Sequence, residues 1–157
     1  IDRPDRFEEK RRQVEKLGVK LVADQDSLID VCDILSFHVP ATDQTRNMVN
    51  AKFLAKLSPG TIIINTSRGD LIDEPALIEI MDKKDIFVGL DVYRNEPGTA
   101  QDEFDSALAR HPNVYGTHHI GASTTQAQIA VAAGVIEVID AFTSGHMINC
   151  VNPSIGQ

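Results

Sequence analysis

Thr61-Ile62-Ile63-Ile64-Asn65 is the stretch of sequence that decides the fold, because its centre is continuously apolar and β-branched. Such a run is typical of a strand buried on both faces of a parallel sheet. Ser58-Pro59-Gly60 directly before it marks a turn. Residues 86–92 (IFVGLDV) have the same apolar character. We therefore predict two central parallel strands joined by the segment between them.

The rest of the chain alternates between strand and helix patterns. We predict further strands at residues 19–22, 33–38 and 113–115, and helices at residues 7–17, 26–31, 50–57, 75–81, 103–109 and 124–143. Alternation of apolar strands with helices predicts an α/β fold, a Rossmann-like parallel sheet with helices on both faces. We find no internal repeat and no low-complexity linker.

Composition restricts the function classes. The 157 residues carry 15 Lys plus Arg against 23 Asp plus Glu, a formal net charge of −8, which disfavours nucleic acid as a partner. Two cysteines, Cys32 and Cys150, are too few for a disulfide framework or a structural zinc site, and we predict no metal. No apolar run approaches the ~20 residues of a membrane span, and no signal peptide is visible. We expect a cytoplasmic protein without a membrane partner.

Polar residues follow each predicted strand, at the edge where α/β sheets bind ligands. In chain order they are His38-Val39-Pro40, Thr66-Ser67-Arg68-Gly69, Asp91 with Asn95-Glu96-Pro97, and His118-His119-Ile120-Gly121-Ala122. Because the carboxyl ends of parallel strands meet at one edge, we expect an arginine, a glutamate and a histidine to converge there.

These three side chains suit one kind of chemistry. Arg68 presents a planar charged fork that can grip a carboxylate and polarise a neighbouring carbonyl. His119 can exchange a proton near neutral pH, and a carboxylate such as Glu96 would orient its ring. Together they fit hydride transfer between a hydroxy acid and its keto acid. Taken singly, each has an ordinary explanation as a surface charge, a loop carboxylate or a structural imidazole.

Four blocks resemble the D-isomer-specific 2-hydroxyacid dehydrogenase family and occur in its order. They are DILSFHVPAT at residues 33–42, INTSRG at 64–69, GLDVYRNEP at 89–97 and HIGAST at 119–124. The extension GASTTQAQ at 121–128 and the tail NCVN at 149–152 are similar to phosphoglycerate dehydrogenases in particular. Members of that subfamily oxidise 3-phosphoglycerate at the entry to serine biosynthesis.

The resemblance implies NAD as cofactor and a small 2-hydroxy or 2-keto acid as substrate. It implies that Arg68 binds the substrate carboxylate, that His119 donates or accepts the proton, and that Glu96 is the partner carboxylate of His119. The residues that we predict to contact the cofactor are Asp2, His38, Val39, Pro40, Thr66, Ser67, Arg68, Asp91, His119, Gly121 and Ala122. Asp2 would bind the adenosine ribose, although a plain chain terminus explains it equally well.

Two features depart from the family pattern. His118 stands where the family usually has proline, which leaves two adjacent imidazoles, and the following Ile120-Gly121 favours His119 as the catalytic one. No two glycines are separated by one residue, so the G-x-G-x-x-G turn that cradles the pyrophosphate is absent from the sequence. We therefore expect a fragment that lacks the first βα unit and turns over substrate poorly. Residues 1–146 would be a partial NAD-binding domain, and residues 147–157 the start of the return to a missing substrate domain.

Three functions stay open from the sequence. The first is an NAD-dependent oxidoreductase acting on a D-2-hydroxy acid, with 3-phosphoglycerate as the favoured substrate and a homo-oligomeric parent protein. The second is a non-catalytic NAD-sensing module of the same family. The third is an inactive truncated product.

Overall fold

Four parallel strands form one sheet in the computed structural model, which describes residue 11 and residues 14–97 and 104–150. The strands are β1 (Ile34–Phe37), β2 (Ile62–Asn65), β3 (Phe87–Leu90) and β4 (Val114–Gly116). Their order in the sheet follows the chain, β1-β2-β3-β4, and each pairs in parallel with the next. The predicted Rossmann-like α/β class is therefore confirmed.

Contacts divide the chain into two units, Ile1–Thr117 and His118–Gln157. The sheet belongs to the first unit, and a long helix forms most of the described part of the second. The predicted boundary at residue 146, between the NAD-binding domain and the return segment, is not the boundary between these two units, and it stays a prediction. Asp2 lies outside the described residues, as does the end of the predicted return segment, residues 151–157.

One face of the sheet carries the core. Leu35, Ile63 and Val88 occupy one register across three strands, and all three are buried. Helices α2 (Ala51–Ala55) and α3 (Glu74–Met81) contribute Phe53, Leu54, Leu77 and Met81 to the same buried cluster. Burial of this apolar surface is the main stabilising contribution to the first unit.

The opposite face of the sheet is apolar and exposed. Ile34, Ile62 and Phe87 share the neighbouring register, and they are 56%, 36% and 47% exposed. Tyr115 of β4 is 81% exposed. As predicted, the strands have the apolar composition of strands that are covered on both faces of the sheet. In this chain, however, the side chains on this second face are exposed to solvent.

Helix starts follow the expected capping chemistry. Asp73 caps α3 by accepting a hydrogen bond from the Ala76 amide at 3.2 Å, and Pro75 lies in the first turn as predicted. Asn50 caps α2. Helix α1 (Gln25–Ile29) begins one residue before the predicted start at residue 26, and its cap is Asp24, which accepts from the Ser27 amide at 2.7 Å. That bond lowers the pKa of Asp24 below its ordinary value.

Two predicted elements do not form. Residues 19–22 have no regular structure, because a strand needs a neighbouring strand to complete its ladder and no described strand pairs with them. In the predicted helix at 103–109, residues 104–106 are irregular and a turn follows at 107–110. The predicted helix at 7–17 lies mostly outside the described residues, but Arg11, Val14 and Glu15 are helical, and Gly18 ends the segment with φ at +74°.

Helix α4 (Thr125–Thr143) is capped by Thr124, close to the predicted bounds. None of its residues is buried. Its 19 residues are long and apolar enough to cross a membrane by length and composition, with a mean hydropathy of 1.3. The expectation that no segment approaches a membrane span was therefore too strong, because alanine-rich helices with few charges satisfy the same criterion.

Candidate active site

The loop after β2 is held by a buried side chain. Asn65 ends the strand with 0% exposure, and its amide Nδ2 donates to the Arg68 carbonyl at 2.9 Å. Its Oδ1 accepts from the Ser67 amide at 3.1 Å and from the Ser67 hydroxyl at 2.9 Å. These three bonds fix the backbone that carries Thr66, Ser67 and Arg68. The Arg68 guanidinium is exposed and donates to the Ser67 carbonyl at 2.6 Å.

Asp91 ties the ends of three strands together. Its amide donates to the Asn65 carbonyl at 3.1 Å, which continues the β2–β3 pairing by one residue. Its carboxylate Oδ1 accepts from the Thr117 hydroxyl at 2.5 Å, just after β4. Asp91 is 7% exposed. A carboxylate accepts hydrogen bonds through two oxygens, so Asp91 is an acceptor at the carboxyl edge of the sheet.

The loop that carries Glu96 touches the loop that carries Arg68. A Cβ on Gly69 would lie 2.1 Å from the Tyr93 carbonyl carbon and 2.5 Å from the Arg94 nitrogen, so only glycine allows the two backbones to meet. The Tyr93 amide donates to Glu96 Oε2 at 3.4 Å. Arg68 and Glu96 are thus connected through Gly69 and Tyr93.

Tyr93 lies in the same region with a buried ring. Burial raises the pKa of its hydroxyl above the ordinary value, and the negative charges of Glu74 and Asp91 add to that rise. Its hydroxyl occupies the space beside Gly116, where a Cβ would lie 1.9 Å away. Tyr93 therefore acts as a neutral packing residue between the ends of β3 and β4.

The residues after β1 have local partners. The His38 ring Nε2 lies 2.8 Å from the Ser36 hydroxyl. Val39 packs against the buried cluster. The Pro40 carbonyl accepts from the Thr45 hydroxyl at 2.6 Å. All three follow the carboxyl end of β1, as predicted.

His118, His119, Gly121 and Ala122 belong to the second unit. His119 has φ at +58°, a left-handed conformation that costs a residue other than glycine about 1–3 kcal/mol. The Ala122 carbonyl accepts from Gln128 Nε2 at 2.8 Å, which ties this turn to the first turns of α4. Of the two adjacent histidines, His119 alone has the strained backbone that functional sites often retain.

The first unit therefore brings together Thr66, Ser67, Arg68, Asp91 and Glu96 at the carboxyl ends of β2 and β3. Sequence reasoning missed Asn65, Thr117 and the role of Gly69 as a contact between loops. A buried polar residue at the end of an apolar strand was the available signal for Asn65. Gly69 and Thr117 gave no comparable signal, because their roles depend on residues 24 and 26 positions away in the chain.

Open α/β domains, the dinucleotide-binding domains among them, bind their ligands at polar loops on the carboxyl edge of a parallel sheet. The D-isomer specific 2-hydroxyacid dehydrogenase family model, for the NAD binding domain, matches residues 4–121. The chain belongs to this family, and the cofactor of the domain is NAD.

The similar proteins agree with this family. A hydroxypyruvate reductase of Thermotoga maritima is 44% identical over 117 residues, covering 74% of this chain and 38% of the relative. A D-3-phosphoglycerate dehydrogenase of Escherichia coli is 38% identical over 130 residues, covering 80% of this chain and 31% of the relative. A crystal structure of D-lactate dehydrogenase with NAD+ from Lactobacillus jensenii matches with a TM-score of 0.69 and 30% identity, covering 81% of this chain and 41% of that one. The chain thus spans well under half the length of each.

Proposed function

We propose that this chain carries the catalytic edge of an NAD-dependent dehydrogenase that interconverts a D-2-hydroxy acid and its 2-keto acid. The observation that carries the proposal is the contact between the Arg68 loop and the Glu96 loop, made through Gly69 and the Tyr93–Arg94 peptide. It joins a carboxylate-binding cation and a candidate acid–base partner at one sheet edge.

Arg68 is the substrate-binding residue in this proposal. Its guanidinium is exposed at the carboxyl end of β2, and its backbone is fixed by Asn65. The fork can bind the substrate carboxylate with two bonds and polarise the adjacent keto oxygen. Charge that develops on that oxygen during reduction would be stabilised by the same cation.

His119 is the proposed proton donor in reduction and the proton acceptor in oxidation. An imidazole is suited to this role because its ordinary pKa lies near ~6.5. Glu96 is the proposed partner carboxylate that fixes the orientation of the ring. These roles rest on the family blocks, and the strained backbone of His119 supports them.

The residues present fit the nicotinamide half of the cofactor. The Asp91 carboxylate can accept a hydrogen bond from an amide such as the nicotinamide carboxamide, and Thr66 and Ser67 supply polar atoms beside it. When bound there, NADH would supply the hydride. Val39 and Pro40 after β1, together with Gly121 and Ala122, are the proposed apolar and backbone contacts.

The favoured substrate is 3-phosphoglycerate, with 3-phosphohydroxypyruvate as its keto acid. Support comes from the GASTTQAQ stretch and from the similarity to a D-3-phosphoglycerate dehydrogenase. Hydroxypyruvate and pyruvate are the comparison substrates, since similar proteins are named for a hydroxypyruvate reductase and a lactate dehydrogenase. NADH oxidation by the full-length natural protein with the three keto acids would rank them, and a preference for hydroxypyruvate or pyruvate would overturn this choice.

The role of Arg68 is tested by Arg68→Ala and Arg68→Lys in the full-length natural protein. Arg68→Ala should lower kcat/KM for the keto acid by ~10³-fold or more, because carboxylate binding and carbonyl polarisation are both lost. Arg68→Lys should recover little, since an ammonium does not replace the fork. Near-wild-type kcat/KM in either variant would contradict the role.

The two histidines are separated by matched substitutions. His119→Asn should lower kcat by ~10²–10⁴-fold, the usual contribution of general acid–base catalysis, whereas His118→Asn should have a far smaller effect. Steady-state rates of both variants at saturating NADH decide the matter. If His118→Asn were the more damaging change, the proton donor would be His118.

A further inference from the structure

Arg94 lies where three segments of the first unit meet. Its Nη2 donates to the Ile72 carbonyl at 3.1 Å and to the Asp70 carbonyl at 3.4 Å, and it also donates to Asn47 Oδ1. Its Nε lies 3.8 Å from Asp70 Oδ1. The side chain is 30% exposed, so these contacts are partly shielded from solvent.

The backbone of Arg94 is held as well. Its amide donates to Glu74 Oε1 at 2.7 Å, at the start of α3. The Tyr93–Arg94 peptide lies against Gly69, the residue that follows Arg68. Both the side chain and the main chain of Arg94 therefore contact the segment of residues 69–74.

The segment before α2 is also hydrogen-bonded to the segment that Arg94 contacts. The Asn47 amide donates to the Asp70 carbonyl at 2.9 Å, and the Val49 amide donates to the Leu71 carbonyl at 3.0 Å. Asn47 has φ at +50°, a conformation that asparagine tolerates better than most residues. The groups that accept hydrogen bonds from the Arg94 guanidinium therefore belong to two segments that are hydrogen-bonded to each other.

We infer that Arg94 is a positioning residue that fixes the spacing between the Arg68 loop and the Glu96 loop. The inference rests on the proposed function. Arg94 reaches across to residues 70–72, just beyond Arg68, while its own peptide lies two residues before Glu96. Loss of the guanidinium would let the two loops shift, and a misplacement of about 1 Å in a catalytic group can cost ~10²-fold in rate.

Arg46 provides a matched control. Its Nη1 forms an ion pair with Asp70 Oδ2, the carboxylate whose other oxygen faces Arg94. Arg46→Gln therefore removes a guanidinium from the same carboxylate and leaves the Arg94 contacts with Asn47, Asp70 and Ile72 in place. Its side chain is 54% exposed, as expected for a weak surface pair.

The experiment compares Arg94→Gln, Arg94→Lys and Arg46→Gln in the full-length natural protein. For Arg94→Gln we expect kcat/KM for the 2-keto acid to fall by ~10²-fold while KM for NADH stays unchanged. Arg94→Lys should recover part of the loss, because an ammonium can still donate to the Ile72 carbonyl or Asn47. Arg46→Gln should match the wild type.

Amide hydrogen exchange of residues 66–72 and 91–96 gives a readout that does not need activity. Arg94→Gln should speed exchange in both segments, and Arg46→Gln in neither. Equal kinetics and equal exchange in Arg94→Gln and Arg46→Gln would overturn the inference while leaving the proposed function intact. A wild-type protein without hydride transfer would overturn the proposed function, and the exchange comparison would still decide whether Arg94 holds the loops. If Arg94→Gln does not fold, Arg94→Lys and Arg46→Lys are compared in the same two measurements.

Discussion

At the scale of single residues, the candidate site depends on side chains that hold its loops in place. The side-chain amide of Asn65 makes three hydrogen bonds within the loop that carries Arg68. An asparagine at the end of a strand is also common in ordinary turns, so the sequence does not distinguish the two roles. The location of Arg68, Asp91 and Glu96 at the carboxyl edge of the sheet could be predicted from their positions after strands, whereas the bonds that hold their loops could not.

Asn65→Asp keeps the size of the side chain, but it should impair the site. The carboxylate keeps the acceptor for Ser67 but loses the donor to the Arg68 carbonyl, leaving a buried charge facing a carbonyl oxygen. We expect a loss of about 1–3 kcal/mol in the free energy of unfolding and a raised KM for the keto acid. Urea denaturation and steady-state kinetics measure the two effects.

Asn113→Asp is the control for Asn65→Asp. The Asn113 amide Nδ2 donates to the Ile86 carbonyl at 3.1 Å, before β3 and β4 begin and so at the opposite end of the sheet. The substitution removes the same kind of bond, and it should lower stability but leave KM for the keto acid unchanged. Equal KM values in both variants would contradict a role for Asn65 in placing Arg68.

Gly69→Ala should destabilise the protein. The new methyl group would lie 2.1 Å from the Tyr93 carbonyl carbon, and neither backbone can yield without separating the two loops. We expect a cost of about 1–3 kcal/mol, typical of overpacking. The control is Gly134→Ala in α4, where nothing lies within 4 Å of the added Cβ and helix propensity predicts a gain of up to ~1 kcal/mol. Thermal melts that shift in the same direction for both variants would contradict this account.

At the scale of elements, prediction from the sequence succeeded where local chemistry and tertiary context agree. Helix α3 has an acidic cap, an early proline and an apolar face, and it forms within one residue of the predicted start. The four strands that pair in the sheet were all predicted. The strand predicted at residues 19–22 does not form although the local pattern is that of a strand, because a strand also needs a paired neighbour.

The cap of α3 gives a prediction at this scale. Asp73→Ala removes the acceptor for the Ala76 amide and should lower the free energy of unfolding by about 1 kcal/mol. Asp73→Ser should restore most of the loss, since serine is an equally good cap. Urea denaturation of both variants is the measurement. A serine variant as unstable as the alanine variant would show that Asp73 acts through its charge instead.

At the scale of the whole molecule, the exposed sheet face is the least expected feature. Ile34, Ile62 and Phe87 have the composition of a covered surface and face solvent in this chain. The strands and their parallel arrangement could be predicted from the sequence, but burial of the second face depends on what packs against it. Exposed contiguous apolar surface promotes association.

The 157-residue chain alone should therefore self-associate and bind NADH weakly. Its sequence contains no G-x-G-x-x-G, so the main anion-binding turn for a pyrophosphate is missing, and we expect a Kd in the millimolar range or weaker, about −4 kcal/mol or less of binding free energy. Gel filtration and calorimetric titration with NADH measure both properties. A monomer with micromolar affinity would contradict this prediction.

The central claim is tested most directly by measuring NADH formation when the full-length natural protein is given NAD+ with separate D and L enantiomers of a 2-hydroxy acid. We expect NADH formation from the D enantiomer, none from the L enantiomer, and loss of that activity in Arg68→Ala. NADH binding without any NADH formation from D-2-hydroxy acids would contradict it and would favour a cofactor-sensing module.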